Sequence, residues 1–326
     1  MQHLHDQFTL RHKGADMPVW VEGNATSKGF VVVVHGGPGG DAQIYNTYMK
    51  EFSDKMESEL AMVYWDQRGS GNSAGHFSQE DYTLLTYTED LDKLIDVLKM
   101  RYGGDSRIFI LGHSWGGTLI TNYAIDAERQ KKIAGFIEVD GAHDFKSVNV
   151  IINAFKSIGG AEILKGRRTA EWQEIIDYCK TVDPSNPTDE QISKLNAYGF
   201  TAESYLSEFG EIAGNSGTVA NGAYMWRSSY SVTLAKMNEF YTNNAMFNEL
   251  KTVDLTGKMN QIKVPGLFIW GKYDMVVPFS SGFSGFNQYG GIDKTFVSFK
   301  NSGHSPMLNQ MEDFVGVVVP WVKARL

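Results

Sequence analysis

Short apolar segments alternate with helical segments along roughly the first 140 residues, and this alternation constrains the fold more than any other feature of the sequence. We predict strands at residues 7–13, 17–22, 31–34, 60–65, 107–111 and 133–139, and helices at 42–58, 83–102 and 116–127. In the second helix Tyr87, Leu91 and Leu98 recur at helical spacing and form an apolar stripe. The pattern indicates a mostly parallel sheet covered by helices on both faces.

The alternation stops near residue 142 and resumes near residue 261. The resumed pattern predicts strands at 266–270 and 294–299 and a last helix at 307–324. Between the two parts we find helical stretches and polar loops without a convincing buried strand. Because 326 residues suffice for one large α/β domain with an insertion, we predict a doubly wound core at 1–142 and 261–326, interrupted by a helical cap at 143–260.

A candidate nucleophile lies in the segment Gly112-His113-Ser114-Trp115-Gly116, directly after a predicted buried strand and at the start of a predicted helix. By itself a G-x-S-x-G segment would also suit an ordinary glycine-rich turn. The strand before it and the helix after it favour a nucleophilic serine, because this context holds the serine on a tight turn above the sheet.

A serine hydroxyl needs a histidine to accept its proton and a carboxylate to orient that histidine. Asp274 follows the predicted strand 266–270, and His304 follows the predicted strand 294–299. Both residues are therefore expected at the same edge of the sheet as Ser114. We predict Ser114 as nucleophile, His304 as general base and then general acid, and Asp274 as the residue that orients the histidine.

The glycine-rich loop His35-Gly36-Gly37-Pro38-Gly39-Gly40 follows the predicted strand 31–34. Glycines let backbone N–H groups approach a substrate closely, as an oxyanion hole requires. We assign the two oxyanion donors to the amides of Gly37 and Trp115. The absence of a following Gly-Lys-Ser/Thr disfavours phosphate binding by this loop. For Asp66 and Arg68, in the loop after strand 60–65, we favour a structural role.

Several classes of function are disfavoured. The eight histidines are scattered, without His-Glu-x-x-His or Cys/His ligand spacing, so we predict no metal, and the chemistry above needs no cofactor. A formal net charge of −8 and the lack of a basic run argue against nucleic-acid binding. A serine rather than an aspartate at position 114 argues against the covalent chemistry of haloalkane dehalogenases and epoxide hydrolases.

No apolar stretch approaches the 18 or more residues that would predict a membrane span. Residues 1–29 also lack the pattern of a secretory signal, which favours a cytoplasmic protein, with a leader removed beforehand as the open alternative.

Together, these motifs resemble the α/β-hydrolase superfamily and, within it, the proline iminopeptidases of peptidase family S33. The resemblance rests on five segments, namely His35 to Gly39, Asp66 to Gly71, the serine followed by Trp115, the Gly-Lys-Tyr-Asp that ends at Asp274, and Gly303-His304-Ser305. It implies an α/β-hydrolase fold with a helical cap over the active site. One departure is His113, where iminopeptidases often carry glycine and esterases commonly carry histidine.

The resemblance also implies that cap glutamates bind the free N-terminal ammonium of a peptide. Glu211 and Glu239 are the candidates in this sequence, with a solvent-exposed helix charge as the alternative for each. The resulting prediction is a serine hydrolase that forms an acyl-enzyme, acting as an aminopeptidase that releases an N-terminal residue, such as proline, from small peptides. Alternatives are an esterase or lactonase acting on small neutral esters, and a ligand-binding protein on a hydrolase scaffold.

Overall fold

A central sheet organises the molecule. The computed structural model describes residues 3–26, 28–76, 78–217, 219, 223–224, 227–228 and 245–326. Its strands are β1 (His3–His12), β2 (Ala15–Asn24), β3 (Gly29–Val34), β4 (Ala61–Trp65), β5 (Ala74–Gly75), β6 (Arg107–His113), β7 (Gly135–Val139), β8 (Gly266–Gly271) and β9 (Lys294–Phe299).

The sheet has the strand order β1-β2-β4-β3-β6-β7-β8-β9, with β5 paired to β2. Strands β1, β2 and β4 pair antiparallel, whereas β4, β3 and all the strands beyond them pair parallel. The carboxyl ends of the parallel strands therefore lie along one edge of the sheet, where loops from distant parts of the sequence meet. The prediction of a mostly parallel α/β sheet is confirmed.

Helices cover both faces of the sheet and form the inserted region. They are α1 (Lys50–Glu59), α2 (Leu84–Tyr102), α3 (Trp115–Ile125), α4 (Ala127–Gln130), α5 (Val148–Ala154), α6 (Gly160–Leu164), α7 (Thr169–Lys180), α8 (Asp189–Glu208), α9 (Ala245–Leu250), α10 (Phe279–Gln288), α11 (Pro306–Asn309) and α12 (Met311–Lys323). Two π-helical turns span Ile44–Tyr48 and Phe155–Gly159, and two 3₁₀ turns span Gln79–Asp81 and Thr256–Gln261.

The apolar core has one layer on each face of the sheet and a third cluster in the insertion. Helices α2 and α3 pack on one face, and Tyr87, Leu91 and Leu98 of the predicted stripe are fully buried there. Helices α1 and α12 pack on the other face. The third cluster joins α5, α7 and α8 to Met275, which lies in the loop after β8. The insertion is thereby packed directly against a loop at the carboxyl edge of the sheet.

The main differences between the structure and the sequence prediction concern three helices, and the short strand β5 was not predicted either. The helix predicted at 42–58 is a π-helical turn and α1, separated at Met49. The last helix is likewise divided, at Gln310, into α11 and α12. Helix α10 was not predicted, because its sequence is rich in serine and glycine. Among the described residues of the insertion, 143–217, 219, 223–224, 227–228 and 245–260, the structure contains no strand of the central sheet.

Candidate active site

Ser114 occupies a strained turn between β6 and α3. Its φ of 56° and ψ of −122° lie outside the conformations that side-chain-bearing residues ordinarily adopt. The turn requires glycine on both sides of it. A Cβ on Gly112 would lie 2.4 Å from the carbonyl oxygen of Gly116, and a Cβ on Gly116 would lie 2.0 Å from the carbonyl oxygen of Val34. The chain therefore tolerates strain at the serine because the neighbouring backbone is tightly packed.

His304 and Asp274 are brought together from two loops at the carboxyl edge. Nδ1 of His304 lies 2.9 Å from Oδ2 of Asp274, and both side chains are buried. The other oxygen of Asp274 accepts the backbone N–H groups of Val276 and Val277, at 2.8 and 2.7 Å. These bonds fix the carboxylate, so it can hold Nδ1–H of His304 and leave Nε2 as the acceptor.

Electrostatics favour the charged form of His304. Burial lowers the pKa of this imidazole, but the charge and hydrogen bond of Asp274, with the charge of Glu203, outweigh burial and raise it above its ordinary value. A proton received from a nucleophile would thus be stabilised on the ring.

His113 connects the serine turn to the loop of His304. Its Nε2–H donates to the backbone oxygen of His304 at 2.6 Å, and its Nδ1 accepts from the hydroxyl of Tyr45 at 2.7 Å. Burial, together with the neighbouring His304, lowers the pKa of His113 to about 3. The ring stays neutral and holds two loops in register, a role that the sequence did not reveal.

Gln67 joins the glycine-rich loop to the residue after the nucleophile. Its Nε2 donates to the backbone oxygen of His35 at 3.0 Å, and its Oε1 accepts from the indole N–H of Trp115 at 2.9 Å. The backbone N–H of Gln67 donates to Nε2 of His35, at 3.2 Å. The two predicted oxyanion donors, the amides of Gly37 and Trp115, therefore belong to segments fixed relative to each other.

Asp66 and Arg68 lie below these loops. Asp66 accepts the backbone N–H groups of Ala42 and Asn72, and the buried guanidinium of Arg68 makes a two-point ion pair with Asp90. These contacts are structural in kind, as the sequence had suggested.

A cleft of about 940 Å³, including space open to solvent, lies beside the serine. Gly37, Ser114 and Trp115 line it together. Its other walls come mostly from apolar side chains of the insertion and of the loop after β8, among them Phe145, Val148, Ile151, Leu195, Phe247 and Val277. Among the described lining residues, Asp144 and Lys251 are the charged ones. The cleft suits a small substrate with an apolar part.

Glu211 does not line this cleft. Its carboxylate forms ion pairs with Lys165 and Arg167, at 2.7 and 2.8 Å, and accepts the hydroxyl of Tyr273 at 2.7 Å. Hydrogen bonds from Lys165 and Tyr273 are the main reasons why the pKa of Glu211 falls to about 2. The structure therefore commits this carboxylate to contacts within the insertion and with Tyr273 of the loop after β8. Glu239, the other predicted ammonium ligand, lies outside the described residues.

Two carboxyl groups near His304, the half-buried Glu203 and the buried Asp140, are not among the site residues that the sequence predicts. Glu203, on α8, accepts the backbone N–H groups of Met275 and His304, both at 3.0 Å. Asp140, directly after β7, contacts Asp274. Asp140 could have been found, since it follows a buried strand as Asp274 does. Glu203 could not, because it is one of many charged residues in a cap helix.

Within the ranges that the structure describes, no group of three or more His, Cys, Asp and Glu side chains is arranged to hold a metal ion. Across those same ranges, no helix combines the length and the apolarity that spanning a bilayer requires.

Known proteins resemble the chain in sequence and in fold. A family model described as serine aminopeptidase, S33, matches residues 25–167. A proline iminopeptidase of Saccharolobus solfataricus is 26% identical over 310 residues, covering 90% of this chain and 84% of that protein. A probable aminopeptidase of Bacillus subtilis, YbaC, is 23% identical over 301 residues, covering 88% and 87%.

Among solved structures, the esterase EaEST from Exiguobacterium antarcticum superposes with a TM-score of 0.62 at 19% identity, covering 99% of this chain and all of that one. This likeness concerns the fold. Combined with the sequence matches, this likeness shows that the chain has the α/β-hydrolase fold and resembles the proline iminopeptidases of peptidase family S33.

Proposed function

We propose that the chain is a serine hydrolase that acts as an aminopeptidase on short peptides. The observation that carries the proposal is the arrangement at the carboxyl edge of the sheet. A strained serine lines an apolar cleft, and the nearby His304 is held by Asp274 at 2.9 Å. The sequence similarity to aminopeptidases supports the choice of substrate class.

In the proposed mechanism, Nε2 of His304 takes the proton from the hydroxyl of Ser114 as the serine oxygen attacks the scissile carbonyl carbon. The amides of Gly37 and Trp115 donate to the developing oxyanion. The imidazolium then gives its proton to the leaving nitrogen, and the C–N bond breaks to leave an acyl-enzyme. Water, deprotonated by His304, attacks the ester carbonyl and releases the acid.

Asp144 is our candidate for binding the substrate's ammonium group, in place of Glu211. It lines the cleft two residues after Ala142, whose N–H donates to the backbone oxygen of Ser114 at 2.9 Å. One carboxylate oxygen of Asp144 accepts the backbone N–H groups of Lys146 and Ser147, which fixes its position. A carboxylate fixed at the wall of an apolar cleft would favour substrates with a free amine.

An esterase is the second candidate. Two observations favour it: the cleft walls are mostly apolar, and Glu211 is neutralised by Lys165 and Arg167 rather than turned toward a substrate. An ester substrate would use the same serine, histidine and oxyanion donors but would need no carboxylate for an ammonium group.

Hydrolysis rates on four substrates separate the two candidates. The substrates are the p-nitroanilides of proline and of alanine, an N-blocked proline anilide, and p-nitrophenyl butyrate, with Ser114→Ala as the control enzyme. We expect cleavage of the free-amine anilides, much slower cleavage of the blocked anilide, and no turnover by the variant. Turnover of the ester with no cleavage of either free-amine anilide would replace the aminopeptidase proposal with the esterase.

Asp144→Asn tests the ammonium site. We expect KM for the free-amine anilides to rise about tenfold, as losing roughly 1.4 kcal/mol of binding implies, with little change for the ester. Asp126→Asn is a matched control, because Asp126 accepts backbone N–H groups two and three residues later, as Asp144 does, at the start of α4. An equal rise in KM for the ester and for the free-amine anilides would show that Asp144 shapes the cleft rather than binding the amine.

A further inference from the structure

A second carboxyl group is packed against the one that holds His304. Asp140 follows β7, and Asp274 follows the neighbouring strand β8. Both side chains are buried, with exposures of 0% and 1%, and they contact each other. The backbone fixes Asp140 further, since the N–H of Gly271 donates to its Oδ1 at 2.9 Å.

Hydrogen bonding between two carboxyl groups requires a proton on one of them, because two carboxylates offer only acceptors. Asp274 already accepts three N–H donors, from Val276, Val277 and His304. Asp140 accepts one, from Gly271, and its Oδ2 has no N–H or O–H donor among the residues that the structure describes. The negative charge is therefore better stabilised on Asp274, and the proton belongs on Oδ2 of Asp140.

We propose that Asp140 is a positioning residue that carries a proton on Oδ2 and donates it to the carboxylate of Asp274. The proposal rests on the function proposed above, because Asp274 matters to the reaction through His304. The donated bond adds a fourth restraint to Asp274, and the proton on Asp140 avoids a further buried negative charge next to that carboxylate.

The electrostatic surroundings agree with this assignment. Burial, and then the charge of Asp274, raise the pKa of Asp140 well above its ordinary value, and the carboxylate of Glu203 adds to the effect. Besides Asp140, this part of the site brings together the carboxyl groups of Asp274 and Glu203, the imidazole of His304 and, 4.9 Å from that ring, the neutral ring of His113. An ionised Asp140 would add a negative charge near His304 and raise the pKa of that imidazole, whereas a protonated Asp140 adds none.

Two variants of Asp140 distinguish a proton donor from a structural acceptor. Asp140→Asn keeps an oxygen for the N–H of Gly271 and offers its own N–H to Asp274, whereas Asp140→Ala removes both. The readout is the rate at which a fluorophosphonate reagent labels Ser114, measured between about pH 5 and pH 9. The midpoint on the acid side of this pH profile reports the pKa of His304. This rate does not depend on whether the enzyme cleaves peptides or esters.

We expect Asp140→Asn to be labelled at least about tenfold faster than Asp140→Ala, and to keep the wild-type midpoint on the acid side of the profile. A midpoint that falls by about one unit in Asp140→Asn would overturn the proposal, because it would show that the substitution removed a negative charge. Equal rates for the two variants would also overturn it, since the donated hydrogen bond would then have no effect.

Infrared spectroscopy keeps the test decisive if Asp140→Ala fails to fold. The difference spectrum between wild type and Asp140→Asn at about pH 7 should contain the C=O stretch of a protonated carboxyl group, shifted in D₂O. Its absence would refute the proton on Asp140. A wild-type protein that is not labelled at Ser114 would instead refute the proposed serine hydrolase, while the infrared band would still report on Asp140.

Discussion

Removing the imidazole of His113 should make the stability of the fold less sensitive to acid. The ring is buried between the hydroxyl of Tyr45 and the backbone of His304, and its pKa is lowered to about 3. An unfolded histidine titrates at about 6.5. Below that pH the unfolded chain binds a proton that the folded protein does not, so the free energy of unfolding falls as the pH falls from about 6.5 toward about 3.

The size of this effect follows from the two pKa values. Linkage through His113 costs the folded protein about 0.2 kcal/mol at pH 7 and about 2 kcal/mol at pH 5. His113→Gln retains a donor for the backbone of His304 but cannot titrate. The variant should be less stable than wild type at pH 7, and the difference in unfolding free energy should shrink by about 2 kcal/mol at pH 5.

Urea unfolding followed by tryptophan fluorescence at the two pH values measures this difference, provided that the slope m is the same in both proteins. His5→Gln, at an exposed side chain, controls for the replacement itself. A stability difference between wild type and His113→Gln that stays constant within about 0.5 kcal/mol from pH 7 to pH 5 would refute a neutral, buried His113.

Two further predictions concern the negative charge of Glu203 and the close packing of the backbone around Gly116. Replacing Glu203 by Gln removes a carboxylate whose charge favours the charged form of His304, so the pKa of that imidazole should fall. Because burial raises the pKa of Glu203 itself to about 7, this charge is only partly present on the acid side of the kcat/KM profile, which should move to lower pH by less than about one unit. A shift to higher pH would contradict this sign. Gly116→Ala should destabilise the fold by about 3 kcal/mol or more, because its Cβ would lie 2.0 Å from the backbone oxygen of Val34. Gly316→Ala, on α12, adds a Cβ in open space and should stabilise the fold by up to about 1 kcal/mol. Thermal melts of the two variants measure the difference. Equal melting temperatures for the two alanine variants would show that the serine turn is not tightly packed.

Local sequence signals were sufficient for the sheet and for the residues at its edge. The strand before Ser114 is a continuous apolar run because it is buried beyond Arg107, and the helix after it is buried at nine of its eleven residues. Helix α10 had no such signal. Gly282 and Gly285 make its sequence look like a loop, yet both glycines allow close packing, since a Cβ on Gly282 would lie 2.2 Å from the ring of Trp270. Tertiary contact, rather than helix propensity, explains this element.

The parts of the site that sequence did not predict depend on contacts between distant segments. Glu203 reaches the loop of His304 from a cap helix about 100 residues away in sequence, so nothing in its local surroundings distinguishes it. The resemblance to the iminopeptidases makes Glu211 a candidate ligand only because it is a glutamate in the inserted region. Its ion pairs with Lys165 and Arg167 join segments that are distant in sequence, so only the folded structure reveals them. The sequence position of a charged residue in an insertion does not show whether that residue binds a ligand, pairs with another side chain or is exposed to solvent.

The most direct test of the account is to trap the covalent intermediate on Ser114. The enzyme is mixed with p-nitrophenyl butyrate, quenched in acid within the first turnover, digested and mapped by mass spectrometry, with Ser114→Ala treated in parallel. We expect one butyryl ester on Ser114, formed with a burst of nitrophenol in proportion to the enzyme, and no burst in the variant. Hydrolysis of the ester without an adduct, or with the adduct on another residue, would contradict the assignment of Ser114 as the nucleophile.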